Sequence, residues 1–180
     1  MLEGITKNCI VVIKSTVPIG TNKKIEEFFN ANSKYRVYVV SNPEFLSQGS
    51  AIKDTLFASR IIVGIGEEET ANIMKDFYKP LTTAPYNVPY FEVSRESAEM
   101  IKYASNNYLA LKLSYINEIA NLCKELGANI EDVSKGMGFD KRIGKSFLKA
   151  GIGYGGSCFP KDTKALYWQG KEKNLELKTI

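Results

Sequence analysis

Apolar side chains recur at helical spacing from Ser94 to Leu126 and stop at Gly127, which predicts a single helix of about 30 residues. Globular helices usually run to about 11 or 12 residues, so this one element sets the architecture of the second half of the chain. Ser94 suits the N-cap, and Glu96 and Glu99 suit the positive end of the helix dipole. Between Tyr108 and Cys123, the side chains of Leu109, Leu111, Leu113, Tyr115, Ile116, Ile119 and Leu122 fall on most faces. A helix apolar nearly all round is covered on more than one side. A partner subunit is the simplest source of that cover, and a third domain is the alternative.

Upstream the pattern alternates. Cys9 to Lys14 reads as a strand, Pro18-Ile19-Gly20-Thr21 as the start of a helix to about Asn30, and Val37 to Val40 as a second strand. The loop Ser41-Asn42-Pro43-Glu44-Phe45-Leu46-Ser47-Gln48-Gly49 follows. A strand from Arg60 to Ile65, a helix from about Glu67 to Tyr78 and a strand from Tyr90 to Val93 complete this half. Such alternation predicts an α/β fold with a parallel, doubly wound sheet over residues 1–93. Residues 94–180 read as all-helical, with shorter helices at about Ile130 to Lys135, Lys141 to Lys149 and Thr163 to Lys171.

With 180 residues and 44% hydrophobic content, the chain can bury a core and form one domain or two small ones. It contains no histidine, which excludes Ser-His-Asp, Cys-His and histidine-ligated metal chemistry. Proton transfer falls to carboxylates, lysine, tyrosine or water. Cys9, Cys123 and Cys158 are far apart and form no Cys-x-x-Cys pair, so neither a disulfide framework nor a structural zinc site is expected, and a reducing cytoplasm fits. The net charge of +4 is spread without a basic block, and aromatics are not interleaved with cations, so no nucleic-acid partner is expected. Neither a signal peptide nor an 18-residue apolar run is evident, so no membrane span is expected.

The segment Gly153-Tyr154-Gly155-Gly156-Ser157-Cys158-Phe159-Pro160-Lys161-Asp162 places one thiol between a glycine turn and a lysine/aspartate pair. Nearby positive charge or hydrogen-bond donors stabilise a thiolate, and glycines let a substrate approach the backbone closely, so this is a candidate loop for covalent catalysis. Gly151, Gly153 and Gly156 formally satisfy G-x-G-x-x-G, but they follow a predicted helical segment rather than a strand, and the dinucleotide reading is declined.

Four blocks, Lys14-Ser15-Thr16-Val17-Pro18, Asn42-Pro43-Glu44-Phe45-Leu46, Ala98 to Leu109 and the Cys158 loop, occur in the order seen in the UDP-glucose/GDP-mannose dehydrogenase family, which the chain resembles over nearly all its length. The resemblance implies the back half of a Rossmann-like NAD-binding domain at residues 1–93, without its fingerprint strand, followed by a central, dimerising helical domain at residues 94–180. The family's first strand and glycine turn match positions upstream of residue 1, and its closing nucleotide-binding domain positions beyond Ile180, so the chain reads as an internal fragment.

The activity implied is the four-electron, NAD-dependent oxidation of a sugar C6 alcohol to a carboxylate through a thiohemiacetal and a thioester on Cys158. By the same resemblance Lys102 and Asn106 face the reacting carbon, Asp162 and Thr16 help to place a water, and Glu44 is the base that activates it. Glu44, Phe45, Leu46, Lys102, Asn106, Arg142, Lys149, Tyr154, Gly155 and Phe159 are implied substrate contacts, with Arg142 reaching a neighbouring subunit's site. Ser15, Thr16, Val17, Gln48, Cys158 and Lys161 are implied cofactor contacts. Gln48 departs from the glutamate of many relatives, which removes a negative charge beside the nicotinamide.

Phe159-Pro160-Lys161-Asp162 resembles the UDP-glucose branch, whereas the GDP-mannose branch has leucine after the cysteine. A homodimer through the 95–126 helix is the implied assembly. A non-catalytic core for sugar binding and dimerisation is the alternative.

Overall fold

The structure, a computed structural model, describes residues 2–47 and 49–179. Its strands are β1 (Cys9–Ile13), β2 (Val37–Ser41), β3 (Ile61–Ile65) and β4 (Tyr90–Ser94). Its helices are α1 (Thr21–Asn32), α2 (Ala51–Leu56), α3 (Glu69–Thr82), α4 (Arg95–Leu126), α5 (Ile130–Gly138) and α6 (Cys158–Glu172). The chain divides into two compact units, Met1–Lys102 and Tyr103–Ile180.

In the first unit the strands form one sheet in the order β1-β2-β3-β4. Side chains of successive residues point to opposite faces of a strand, and the apolar sets follow that rule. Val37 and Val39 of β2 cluster with Phe29 and Ile25 of α1 and with Cys9, Val11 and Ile13 of β1. Val40 faces the other way and clusters with Ile61, Val63 and Val88 and with Met74 of α3. Helices therefore cover both faces, as the doubly wound reading requires.

The sheet itself is mixed. β1 pairs with β2, and β3 with β4, in parallel, but β2 meets β3 antiparallel at Ser41 and Gly64. Only a crossover spanning the sheet can return a strand in parallel, and the short α2 between β2 and β3 does not provide one. Gly64 also admits the start of α4: a Cβ there would lie 2.6 Å from Ala98 Cβ and 2.8 Å from Arg95 Cα.

The long helix holds to its predicted ends. The Ser94 hydroxyl accepts from the Ser97 N–H at 3.1 Å, and Gly127 closes it at φ 71° with Ala128 N–H donating to Cys123 O at 2.9 Å. Glu99 does not serve its own helix. Glu99 is 2% exposed, and its carboxylate takes the Gly20 N–H at 2.5 Å and the Asn22 N–H at 2.9 Å, capping α1, whose N-cap residue, Gly20, has no side chain to do so. Arg95 adds a buried pair with Glu26 at 2.8 Å.

Two helical expectations in the second unit need correction. The segment Lys141 to Lys149 forms turns, because Gly144 at φ 71° and Phe147 at φ 62° leave the helical region. The last helix begins at Cys158 instead of Thr163, since Pro160 falls in its first turn, where a missing N–H costs nothing. Asp162 is accordingly one turn inside α6 and does not cap it.

Candidate active site

In the first unit the loop after β2 carries Glu44 to Lys102. The Lys102 side chain, 6% exposed, donates to Glu44 Oε1 at 3.3 Å, and the other carboxylate oxygen accepts the Leu46 N–H at 2.6 Å. A lysine this buried has exchanged its hydration for a specific partner, which separates it from the solvated surface lysines that dominate helix faces. Phe45 lies between two cations, with the Arg60 guanidinium 4.0 Å and the Lys102 ammonium 5.2 Å from its ring centroid. Leu46 is exposed, and Gln48 lies outside the described residues.

Ser15, Thr16 and Val17 leave β1 at its carboxyl end, where open α/β sheets bind their ligands, with Ser15 exposed and the other two half-buried. Hydroxyls and backbone amides at such an end are hydrogen-bonding groups of the kind a dinucleotide cofactor needs. Behind them, burial pushes the Lys14 ammonium below its usual value, while the Glu44 charge pulls it back up.

The second unit carries the thiol. Cys158 is the first residue of α6, exposed, with Sγ 3.7 Å from the Ser157 hydroxyl. The free N–H groups at a helix start lie beside it and can donate to a bound acceptor. One turn on, Asp162 is 1% exposed; its Oδ2 accepts from Asn106 Nδ2 at 2.6 Å and its Oδ1 from Lys161 Nζ at 2.5 Å. Asn106 and Asp162, 56 positions apart in the chain, are thus directly bonded.

The glycine loop before the thiol owes its course to Gly153 at φ 121° and Gly156 at φ 78°. Tyr154 and Gly155 are exposed within it, Tyr154 is edge-on to Phe159 at 6.0 Å, and Phe147 packs on the same Phe159 ring at 6.2 Å. Arg142 is not drawn into this cluster: its guanidinium engages Asp140 and its side chain is 89% exposed. Lys149 instead lines a pocket of about 450 Å³ with Ile130, Lys135, Phe139, Lys145 and Leu148. Among the described residues no group of three or more Cys, Asp or Glu could hold a metal ion, and no helix is long and apolar enough to cross a membrane.

Asn42 and Tyr78, absent from the residues expected at the site, join it through Lys14, which lies with Asn42 inside the blocks that carry the resemblance. Lys14 Nζ donates to Asn42 Oδ1 at 2.8 Å, and the Tyr78 hydroxyl donates to the same oxygen. The signal available was the run of polar residues at the ends of two apolar strands.

Polar groups at the carboxyl ends of an open α/β sheet form the edge where such sheets bind ligands, and the helical unit that follows presents a thiol at a helix start. Residues 1–82 match the NAD binding domain of the UDP-glucose/GDP-mannose dehydrogenase family, and residues 96–180 match its central domain. The chain is 52% identical over 166 residues to UDP-glucose 6-dehydrogenase YwqF of Bacillus subtilis, covering 91% of this chain and 37% of that protein. It is 48% identical to UDP-glucose 6-dehydrogenase of Rickettsia typhi, covering 91% of this chain and 37% of that protein. A solved UDP-glucose dehydrogenase from Pyrobaculum islandicum superposes with a TM-score of 0.92 at 39% identity, over 99% of this chain and 40% of that one. The chain belongs to the UDP-glucose/GDP-mannose dehydrogenase family and spans about 37% of the length of these curated relatives.

Proposed function

We propose that this chain supplies the reaction centre of an NAD-dependent dehydrogenase that oxidises C6 of UDP-glucose to the carboxylate. The observation that carries the reading is an exposed thiol at a helix start, one turn from a buried aspartate held by Asn106. NAD, when bound, supplies the hydride acceptor for both oxidations. Lys102 and Asn106 stabilise negative charge on the sugar oxygen.

The Cys158 thiolate adds to the C6 aldehyde carbon, forming an S–C bond as the carbonyl oxygen takes a proton. Oxidation of that thiohemiacetal leaves a thioester. Glu44 then removes a proton from water as the water attacks the thioester carbon, the S–C bond breaks, and the carboxylate leaves with the thiol restored. Asp162 and Thr16 orient that water. Phe45, Leu46, Arg142, Lys149, Tyr154, Gly155 and Phe159 contact the nucleotide-sugar, with Arg142 reaching a partner's site, and Ser15 to Val17, Gln48, Cys158 and Lys161 contact the cofactor.

Phe159 after the thiol favours UDP-glucose over GDP-mannose. A coupled NADH assay comparing the two sugars checks that choice; faster turnover of GDP-mannose would reverse it. A homodimer through α4 belongs to the same reading. Tyr108, Leu111, Tyr115, Leu122 and Leu126 are all exposed, and at 100° per residue they fall within an arc of about 60°.

The short coverage of the relatives favours a second reading, in which the chain alone is a sugar-binding and dimerising core. Calorimetric titration of the 180-residue chain with UDP-glucose and with NAD separates the two: tight binding of NAD supports the first, and sugar binding without NAD the second.

A further inference from the structure

Asn42 is the residue after β2 and is 2% exposed. Its side chain is held from three elements. Nδ2 donates to Ile62 O on β3 at 2.8 Å, while Oδ1 accepts from Lys14 Nζ at the end of β1 at 2.8 Å and from the Tyr78 hydroxyl on α3. Its backbone N–H extends the pairing with β1 by donating to Ile13 O at 2.9 Å. Pro43, buried, links it to Glu44 with one dihedral fixed by the ring, so a displacement of Asn42 is transmitted to the carboxylate with little slack. That carboxylate has its own two partners, Lys102 Nζ at 3.3 Å and the Leu46 N–H at 2.6 Å.

A lysine at a strand end, exposed as Lys14 is, ordinarily gives its ammonium to water, and a bond to a neutral amide is made in competition with that hydration. Lys14 makes such a bond, to the one side chain that sets where the Glu44 turn leaves the sheet. We propose that Lys14 is a positioning residue that acts through Asn42: it clamps the Asn42 amide and so fixes the Asn42-Pro43-Glu44 turn where Glu44 meets Lys102. The functional meaning rests on the reading of Glu44 as the base for thioester hydrolysis; the geometric claim does not.

Amide hydrogen exchange followed by NMR on the 180-residue chain tests it, with Leu46 as the reporter because its N–H is bonded to the Glu44 carboxylate. Lys14→Met speeds Leu46 exchange about tenfold and moves its proton resonance upfield, as one charge-assisted bond loses alignment. Amides of Val39, Val40, Ile62 and Val63 keep their wild-type protection, and Lys14→Arg restores Leu46. Unchanged Leu46 exchange overturns the proposal, and so does loss of protection spread equally over β2 and β3, which marks Lys14 as a general brace. Lys14→Gln, which keeps a donor on a shorter stem, carries the same prediction where the methionine variant does not fold. Glu44→Gln decides the base role separately: a thioester that hydrolyses at the normal rate in that variant removes the function of the turn and leaves the Leu46 result standing.

Discussion

Replacing Asp162 by alanine should destabilise the second unit by roughly 1–4 kcal/mol, and the partners of its carboxylate show where that comes from. Asn106 is 8% exposed and donates to Asp162 Oδ2 at 2.6 Å, so removing the acceptor strands a buried amide at a cost of about 1–3 kcal/mol. Lys161 also loses its partner, but its side chain is 55% exposed and water takes over, which adds only about 0–1 kcal/mol. Asp162→Asn keeps an oxygen for Asn106 and should cost about 1 kcal/mol, while Lys161→Met should cost less than about 1 kcal/mol. Trp168 is the single tryptophan and lies on α6, so urea unfolding followed by its fluorescence reads the effect where it arises. Asp162→Ala within about 1 kcal/mol of wild type at an unchanged slope would refute the reasoning. A Lys161→Met effect as large as that of Asp162→Ala would refute the assignment of Asn106 as the partner that matters.

Gly64→Ala drives a methyl group to within 2.6 Å of Ala98 Cβ, so it should cost roughly 1–3 kcal/mol in thermal unfolding; a loss below about 0.5 kcal/mol would mean the start of α4 shifts freely. Burial, together with Glu92 and Tyr78, pushes the Tyr90 hydroxyl up to about 12 from an ordinary value of 10.0. The folded state holds that proton more tightly, so the tyrosine's contribution is complete below pH 10 and is lost as pH rises through about 12. Tyr90→Phe should remove that fall in stability measured from pH 9 to 12.5, and an identical profile would contradict it.

What could be read from the sequence followed the strength of the local signal. The strands at Cys9, Val37 and Tyr90 and the whole of α4 stand close to their predicted bounds, because each combines clear periodicity with a turn or capping residue at its end. The six residues of α2 carry too little pattern to be seen. The antiparallel join of β2 and β3 is invisible for another reason: alternation reports which face a side chain takes, not which way its neighbour runs. The last helix starts five residues before the expected Thr163, because a proline such as Pro160 is tolerated in a first turn.

At the candidate site the residue types were legible and their burial was not. Lys102 looks like any helical surface lysine until its partner, Glu44, is brought in from 58 positions away, and the same holds for Lys14 and Asn42 at a separation of 28.

Covalent bonding of the Cys158 sulfur to the sugar carbon is the step on which the proposed reaction turns. Peptide mass spectrometry of the Glu44→Gln variant, acid-quenched during incubation with UDP-glucose and NAD, tests it most directly, because slowed hydrolysis lets the acyl-enzyme accumulate. A glucuronyl thioester is expected on the peptide that carries Cys158. Steady NADH formation with that peptide unmodified would contradict it.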